Sequence, residues 1–548
     1  MTAPATEFAP DHPLARFEPL RRAERTLLKA VRRGDIARIG LRRPREAHDD
    51  VTVRASFIAA LALDPGSRRG ARRLQLLGAW VQGRLDLGEC EVPASLWFFR
   101  CVFDTTPLFD GARIAGGLAF PDCELPGLLA ERCRIAQDLA LNAGCSIANE
   151  VRLQQARIGG DFNATRLVLS GSDASLPGRR SLVADALEVE GDVRISEGFD
   201  ASGEVRFAGA RVRGDFLAGA ARVNGPFDAT GARRSALVLD RIEVGGDLRL
   251  DEGFAAAGRV SARRARVGGD FDCSGAIFDR VGDTAWGDGL SLVLDRARIG
   301  GTLRLAPLRA PLLGASFAGT KAEALVDDAS TWGERLVLDG FAYSRFGDGA
   351  PMDSGFRLAW LERQPAAHLA EDFRTDPWRR VIAVMRRMGR GASASTVALR
   401  REQRLRRIGR IGQALPGALR WTAGLGHALF GGLAGYGWRP QRLLLWTLLV
   451  WLGAATLFGI AQQEGALLPA GTPALTPFSP LAYTLDLLLP GIDLHEHSRW
   501  LPAPGAALGF GWADAARLAG WAVRLFGALA AVLLLVSLAG WADRDRRR

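Results

Sequence analysis

The residues able to do chemistry are few in this chain, and their spacing limits what they can do. Cys90, Cys101, Cys123, Cys133, Cys145 and Cys273 are separated by 11, 22, 10, 12 and 128 positions, so no C-x-x-C pair exists. Zinc ribbons and dithiol centres need two sulfurs on one tight turn, and haem or iron–sulfur ligation needs equally close Cys or His. The cysteines therefore read as reduced, buried thiols, with Cys133 in a slot filled elsewhere by alanine. Only the stretch from Cys90 to Cys145 is dense enough for thiols on neighbouring turns of a repeat to meet. His495-Glu496-His497 offers ligand atoms, but three consecutive loop residues point apart, which favours a solvated loop. Asp486 and Asp493 are the carboxylates that would form a charged ring if several copies surrounded a pore. These two are the candidate pore or interface residues.

Residues 156–162 read ARIGGDF and residues 265–271 read ARVGGDF. A diguanylate cyclase carries a GGDF-type string once, beside a second acidic residue in an α/β domain. Here the string is one variant of a pattern present nine times. Dinucleotide binding needs G-x-G-x-x-G between a strand and a helix, so that backbone amides cradle the phosphates. The Gly-Gly pairs of this chain fall inside a β period instead. With no flavin, nicotinamide, haem or iron–sulfur motif, no catalytic residue, cofactor site or metal site is expected.

The element carrying these strings is a repeat: a small residue, any residue, Ile or Val, any residue, Gly, often Asp, then an apolar residue. Copies begin at Ala79, Ala112, Cys133 (degenerate), Ala156, Leu187, Ala210, Ile242, Ala265 and Ala297. From Gly160 through Gly191, Gly214, Gly246 and Gly269 to Gly301, the gaps are 31, 23, 32, 23 and 32. A fixed period of this kind marks a solenoid. Apolar and polar residues alternate within each copy, as over 244–250, which is the period of a strand. The expected fold is mainly β: a right-handed parallel β-helix of about 23 residues per coil, with coils stacked ~4.8 Å apart. The longer spacings would carry surface loops such as 170–180 and 274–289, the variable contact points of the solenoid.

An open β-helix end exposes unpaired backbone, so caps are expected. Residues 20–31 and 53–63 have helical spacing and make 1–68 a helical N-terminal cap before the solenoid of 69–346. Residues 336–341 look like a final strand. In 347–441, a basic helical connector, Asp376-Pro377 starts one helix that Gly389 closes, and 394–410 forms another. Residues 443–461 and 525–541 carry no charge and are long enough to cross ~30 Å of hydrocarbon, so 442–548 reads as a transmembrane hairpin. Between the spans, 478–490 is apolar but too short to cross, which suggests a helix lying on the outer leaflet or, alternatively, a re-entrant one.

The net charge of +11 invites a nucleic-acid reading, but only Lys29 and Lys321 are lysines among 71 basic residues. That skew fits a GC-rich genome, and the basic excess gathers near the apolar segments, so nucleic acid is not an expected partner. Arginines crowd 374–442 and 544–548, whereas acids outnumber arginines between the spans. Positive-inside logic puts both termini and the solenoid in the cytoplasm of a multi-pass inner-membrane protein. Residues 1–13 contain Glu7 and Asp11 and lack the basic flank and apolar core of a secretory signal.

The repeated A-x-[IV]-x-G-D-[LF] strands, Leu358-Ala359-Trp360-Leu361, Tyr436-Gly437-Trp438-Arg439-Pro440 and the F-x-P-x-x-Y-x-L-D-x-L-L-P run over 478–490 together resemble a bacterial family. Its members are pentapeptide-repeat-like β-helix membrane proteins, often labelled membrane-associated oxidoreductases. The resemblance implies the architecture above. The oxidoreductase activity it implies finds no motif in these residues.

Three functions are thus expected to compete. The leading one is a non-catalytic, membrane-anchored cytoplasmic scaffold or interaction module, taking a protein partner on a solenoid face and open to homo-oligomer formation. The others are a pore-forming or signalling protein and an oxidoreductase with an unrecognised cofactor site. The strand register makes a stability prediction. Val244→Asp puts a carboxylate in a dry interior and is expected to cost several kcal/mol, whereas Arg249→Ala, of opposite parity, costs little; equal shifts in thermal midpoint would refute the alternation.

Overall fold

The computed structural model describes residues 8, 12–68, 71–170, 179–227, 234–278, 289–411, 416–438, 440–470, 477–504 and 511–546. The chain forms two compact units, residues 1–380 and 381–548.

The first unit is a parallel β-solenoid whose coils each cross four ladders. In one coil the chain passes Arg157–Ile158, Phe162–Asn163, Val168–Leu169 and Arg180–Val183, then returns to the first ladder at Glu188–Val189. The first two ladders share a 22-stranded sheet; the third and fourth are separate sheets of 10 and 9 strands. Strands are short because each coil turns sharply between ladders, yet the alternation survives. Ile158, Val189, Val212, Val244, Val267 and Ile299 pair directly in register, as the repeat predicts, and none is more than 5% exposed. The next ladder stacks Phe162, Val193, Phe216, Leu248 and Phe271 into the same interior. Arg249 lies on the outer side, where it meets Asp251.

The long spacings have one origin. From third to fourth ladder the chain advances 13 positions from Leu169 to Leu182 and 14 from Val223 to Leu237 and from Phe278 to Leu292, but only four from Ala201 to Val205. Every insertion therefore leaves from the same corner. Most of the expected loops 170–180 and 274–289 lies outside the described residues.

The motif itself is explained by one contact. Each Asp of the Gly-Asp step turns its Oδ1 toward the next coil and accepts the N–H of the corresponding Asp. Asp161 N meets Asp138 at 2.8 Å, Asp192 N meets Asp161 at 2.9 Å, Asp215 N meets Asp192 at 2.9 Å and Asp247 N meets Asp215 at 2.8 Å. Asp270 N continues the line to Asp247 at 2.8 Å, and Thr302 N ends it on Asp270 at 2.6 Å. The carboxylate that makes this bond occupies the space where a Cβ would sit on the residue before the next Asp. A Cβ on Gly160, Gly191, Gly214, Gly246, Gly269 or Gly301 would lie 2.0–2.1 Å from that Oδ1. The degenerate copy obeys the same rule. Gln137 stands where the glycine is expected, and the coil before it carries Gly117, not Asp, at the carboxylate position.

Two expectations are corrected. The first copy, at 79–85, does not begin the first ladder: Trp80–Gln82 belongs to the ten-stranded sheet, pairing with Thr52–Arg54 and Val102–Phe103. Its Gly83 serves a different need, a left-handed corner at φ 83° with nothing near its Cβ position. Residues 336–341 are not one strand. Trp332–Val337 ends on the fourth ladder, the chain turns through Gly340 at φ 68°, and Ala342–Phe346 starts anew. The local alternation is the same on both sides of a corner, so sequence alone does not mark the turn.

At the N-terminal end, helices α1 (Arg22–Arg33) and α2 (Ala55–Leu63) cover the first coil. The cap is not wholly helical: Ala37–Arg38 and Thr52–Arg54 extend two of the sheets. Buried Glu24 binds Arg54 through Nε at 2.7 Å and Nη2 at 2.6 Å, tying α1 to the start of α2. At the other end α3 (Ser354–Glu362) supplies Arg357, which forms a fully buried bidentate pair with Asp327, both bonds 2.7 Å, beneath the Phe346 ring. The short α4 (Ala366–Leu369) follows, and the division between units falls within α5 (Asp376–Arg387).

The second unit continues with α6 (Gly391–Arg407), α7 (Gly417–Ala434), α8 (Pro440–Gln463), α9 (Pro480–Leu488), α10 (Glu496–Arg499) and α11 (Trp512–Arg546). Helix α7 has no counterpart in the sequence reading because Gly424, Gly426, Gly431 and Gly432 lower its helical propensity. Two helical stretches, Gln441–Gln463 and Trp512–Ser537, are long and apolar enough to cross a membrane.

The carboxylate ladder makes a double-mutant prediction. Gly246→Ala drives a Cβ into Asp215 and is expected to lower stability by about 1–3 kcal/mol, while Asp215→Ala loses about 1 kcal/mol of hydrogen bonding. In the Asp215→Ala background Gly246→Ala should cost far less; additive losses in thermal midpoint would rule the contact out.

Candidate functional site

Pro480 at the first helical position and Ser479 as N-cap start α9. Its apolar face, Tyr483, Leu487 and Leu488, packs into the core shared with α8 and α11. Trp451 Nε1 donates to Leu481 O at 3.0 Å, and the Phe458 and Phe478 rings flank Tyr483. Gly527 admits the end of the helix, since a Cβ there would lie 2.0 Å from Leu488 O. The short helix is thus wedged against both long apolar helices. Beyond it, the chain closes into a hairpin in which Leu467–Pro469 pairs antiparallel with Trp500–Pro502.

Asp486 is the polar anchor of this segment, and its side chain is fully buried. Its Oδ1 accepts Leu494 N at 2.7 Å; its Oδ2 accepts Glu496 N at 3.0 Å and His497 N at 2.9 Å and faces His497 Nδ1 at 2.8 Å. Burial alone would raise the Asp486 pKa, but the N–H donors of His497 and Leu494 outweigh it and hold the carboxyl below its usual range. Asp493 is exposed and accepts His495 N at 2.8 Å, with His495 Nδ1 at 2.9 Å. The contact with His495 lowers the Asp493 pKa and raises that of His495.

The two carboxylates named from sequence are therefore brought together, and the two histidines are brought to them. His497 Nδ1 lies 4.0 Å from Asp493 Oδ1, and the ligand atoms of Asp486, Asp493 and His497 all fall within 4.8 Å of one another. Sequence reasoning tested the histidines against each other and missed this arrangement. The available signal was Asp486 itself: a lone acid in a short apolar helix needs donors from somewhere.

A second feature lies on the first ladder of the solenoid, where a groove of ≈ 1070 Å³ runs from Glu188 to Lys321. Outward charges alternate along it. Arg157 meets Glu188 at 3.0 Å, Arg211 meets Glu243 at 3.4 Å and Arg266 meets Glu243 at 2.8 Å. At one end Arg298 and Lys321 stack as like charges in register, with no ion pair among the described residues.

Five of the six cysteines enter the interior, whereas Cys90, expected to be buried with them, is only half-buried. Cys101, Cys123 and Cys145 follow one another on successive coils, with Cys101 N donating to Cys123 Sγ at 3.3 Å. Cys123 Sγ donates to Phe98 O at 3.1 Å. Burial pushes the Cys133 and Cys145 thiols up to about 12.

The anchor makes a local stability prediction. Asp486→Asn replaces a charged acceptor and is expected to cost about 1.5–3 kcal/mol, read as a lower thermal midpoint and faster tryptic cleavage after Arg499. Asp493→Asn, on an exposed side chain, should barely change either; equal effects would show that Asp486 anchors nothing. No protein-family model, curated protein or solved structure matches this chain.

Proposed function

We propose that the protein is a non-catalytic scaffold or interaction module, fixed to a bacterial inner membrane by α8 and α11, with the solenoid and both termini in the cytoplasm. The observation that carries the reading is the first-ladder groove. A continuous row of side chains on a rigid parallel sheet offers fixed charges at a spacing of ~4.8 Å, which suits a protein partner more than a small substrate. Like charges side by side at Arg298 and Lys321 are unfavourable on a sheet, and an acidic partner would relieve them. The membrane reading is supported by the two apolar helices and by the arginines of 374–442 and 544–548. A pore or signalling role is a second reading, favoured by α9 standing wedged between two apolar helices.

Alkaline phosphatase fused after residue 470 is expected to be active in a Gram-negative host, and silent when fused after residue 350 or at the C-terminus. Activity at 350 would overturn the cytoplasmic placement. A photo-crosslinker replacing Arg211 in the groove should give a protein adduct that the same group replacing Arg152, on the fourth ladder, does not. Equal labelling, or none, would remove the groove as the interaction face.

A further inference from the structure

The segment between the two apolar helices joins four side chains of metal-ligating type through consecutive close contacts. Asp486 Oδ2 faces His497 Nδ1 at 2.8 Å, His497 Nδ1 faces Asp493 Oδ1 at 4.0 Å, and Asp493 Oδ1 faces His495 Nδ1 at 2.9 Å. A tetrahedral zinc ion with bonds of ~2.0–2.1 Å holds its ligand atoms roughly 3.3 Å apart. The ligand atoms of Asp486, Asp493 and His497 already lie within 4.8 Å of one another, close to that spacing, and His495 adjoins them through Asp493. We propose that Asp486, Asp493 and His497, with His495 beside Asp493 as a further donor, form a binding site for a zinc-class divalent cation.

The donor set chooses the cation. Two imidazole nitrogens favour zinc, cobalt or nickel over calcium and magnesium, which take oxygen ligands. Two carboxylates neutralise the double charge. Asp486 forms the floor: it is buried and already oriented by the N–H groups of Leu494, Glu496 and His497, the outer donors that metal-bound carboxylates need. Asp493 and His495 are 58% and 70% exposed, so the ion has an open route from solvent. Both histidines bind as neutral imidazoles, so the Nδ1 atom that meets the metal carries no proton. The site depends neither on the scaffold reading nor on the direction in which the chain crosses the membrane.

The test uses the full chain in mild detergent, purified without a histidine tag and stripped with a chelator. Cobalt(II) added to it should give the visible bands of a tetrahedral site at one equivalent, and zinc but not magnesium should remove them. The double variant Asp493→Asn/His495→Gln changes only exposed side chains and leaves the Asp486 anchor intact. It should keep the parent's circular dichroism while binding cobalt about tenfold or more weakly. Absence of tetrahedral bands in the parent, or equal affinity in the variant, would overturn the proposal.

Discussion

A carboxylate placed where a neighbouring Cβ would otherwise be is the contact on which the solenoid depends. Asp215 is bonded to the Asp247 N–H, and Gly246 must be glycine because of it. The same pair of facts holds from Asp138 to Thr302. Each carboxylate gains an amide donor from the next coil, which offsets the repulsion between acids stacked one coil apart. Glycine carries an entropic cost in a strand, but here it permits a bond that no residue with a side chain could accept. The motif is therefore a rule between coils, not within one. An Asp in one coil demands a Gly in the next, and where Asp is missing at Gly117 the demand lapses at Gln137.

That rule explains what was legible in the sequence. Gly-Asp recurs because the contact is made once per coil, so the period, the strand direction and the inward Ile or Val column all follow from spacing. The corners were less visible. Ala186, Arg241, Arg264 and Arg296 adopt left-handed conformations at the turn before the first ladder, where Gly209 and Gly319 also stand. Each non-glycine there carries strain on the order of 1 kcal/mol, compensated by coil-to-coil bonds such as Arg241 N to Arg263 O. Arg and Ala give no sequence signal of a turn. The corner was accordingly missed at 336–341, where alternation continues through a change of ladder.

The ends of the solenoid and the second unit solve a different problem with similar means. A repeat array has no partner beyond its last coil, and the terminal polar contacts are charged: buried Glu24 with half-buried Arg54, and Asp327 with Arg357, both buried. Such pairs add little net stability over apolar packing, but they are costly to break singly. They therefore fix which helix sits on which end more than how tightly it sits there. Both pairs link residues about 30 positions apart, in segments with no shared period, which is why composition and periodicity did not reveal them.

Asp486 follows the same logic in the second unit. It is an acid in an apolar helix, so its burial is tolerable only because a returning loop delivers three backbone N–H groups. That loop is held in place by the hairpin of Leu467–Pro469 with Trp500–Pro502, and the hairpin by packing against α8 and α11. The candidate site is thus the product of long-range closure: Asp486 and His497 stand 11 residues apart and meet only when the loop has folded over the helix. A sequence displays the ligand types and the odd acid but not the closure. This is why the Asp and His side chains appeared as separate, weak signals, while the solenoid, whose contacts repeat, could be read directly.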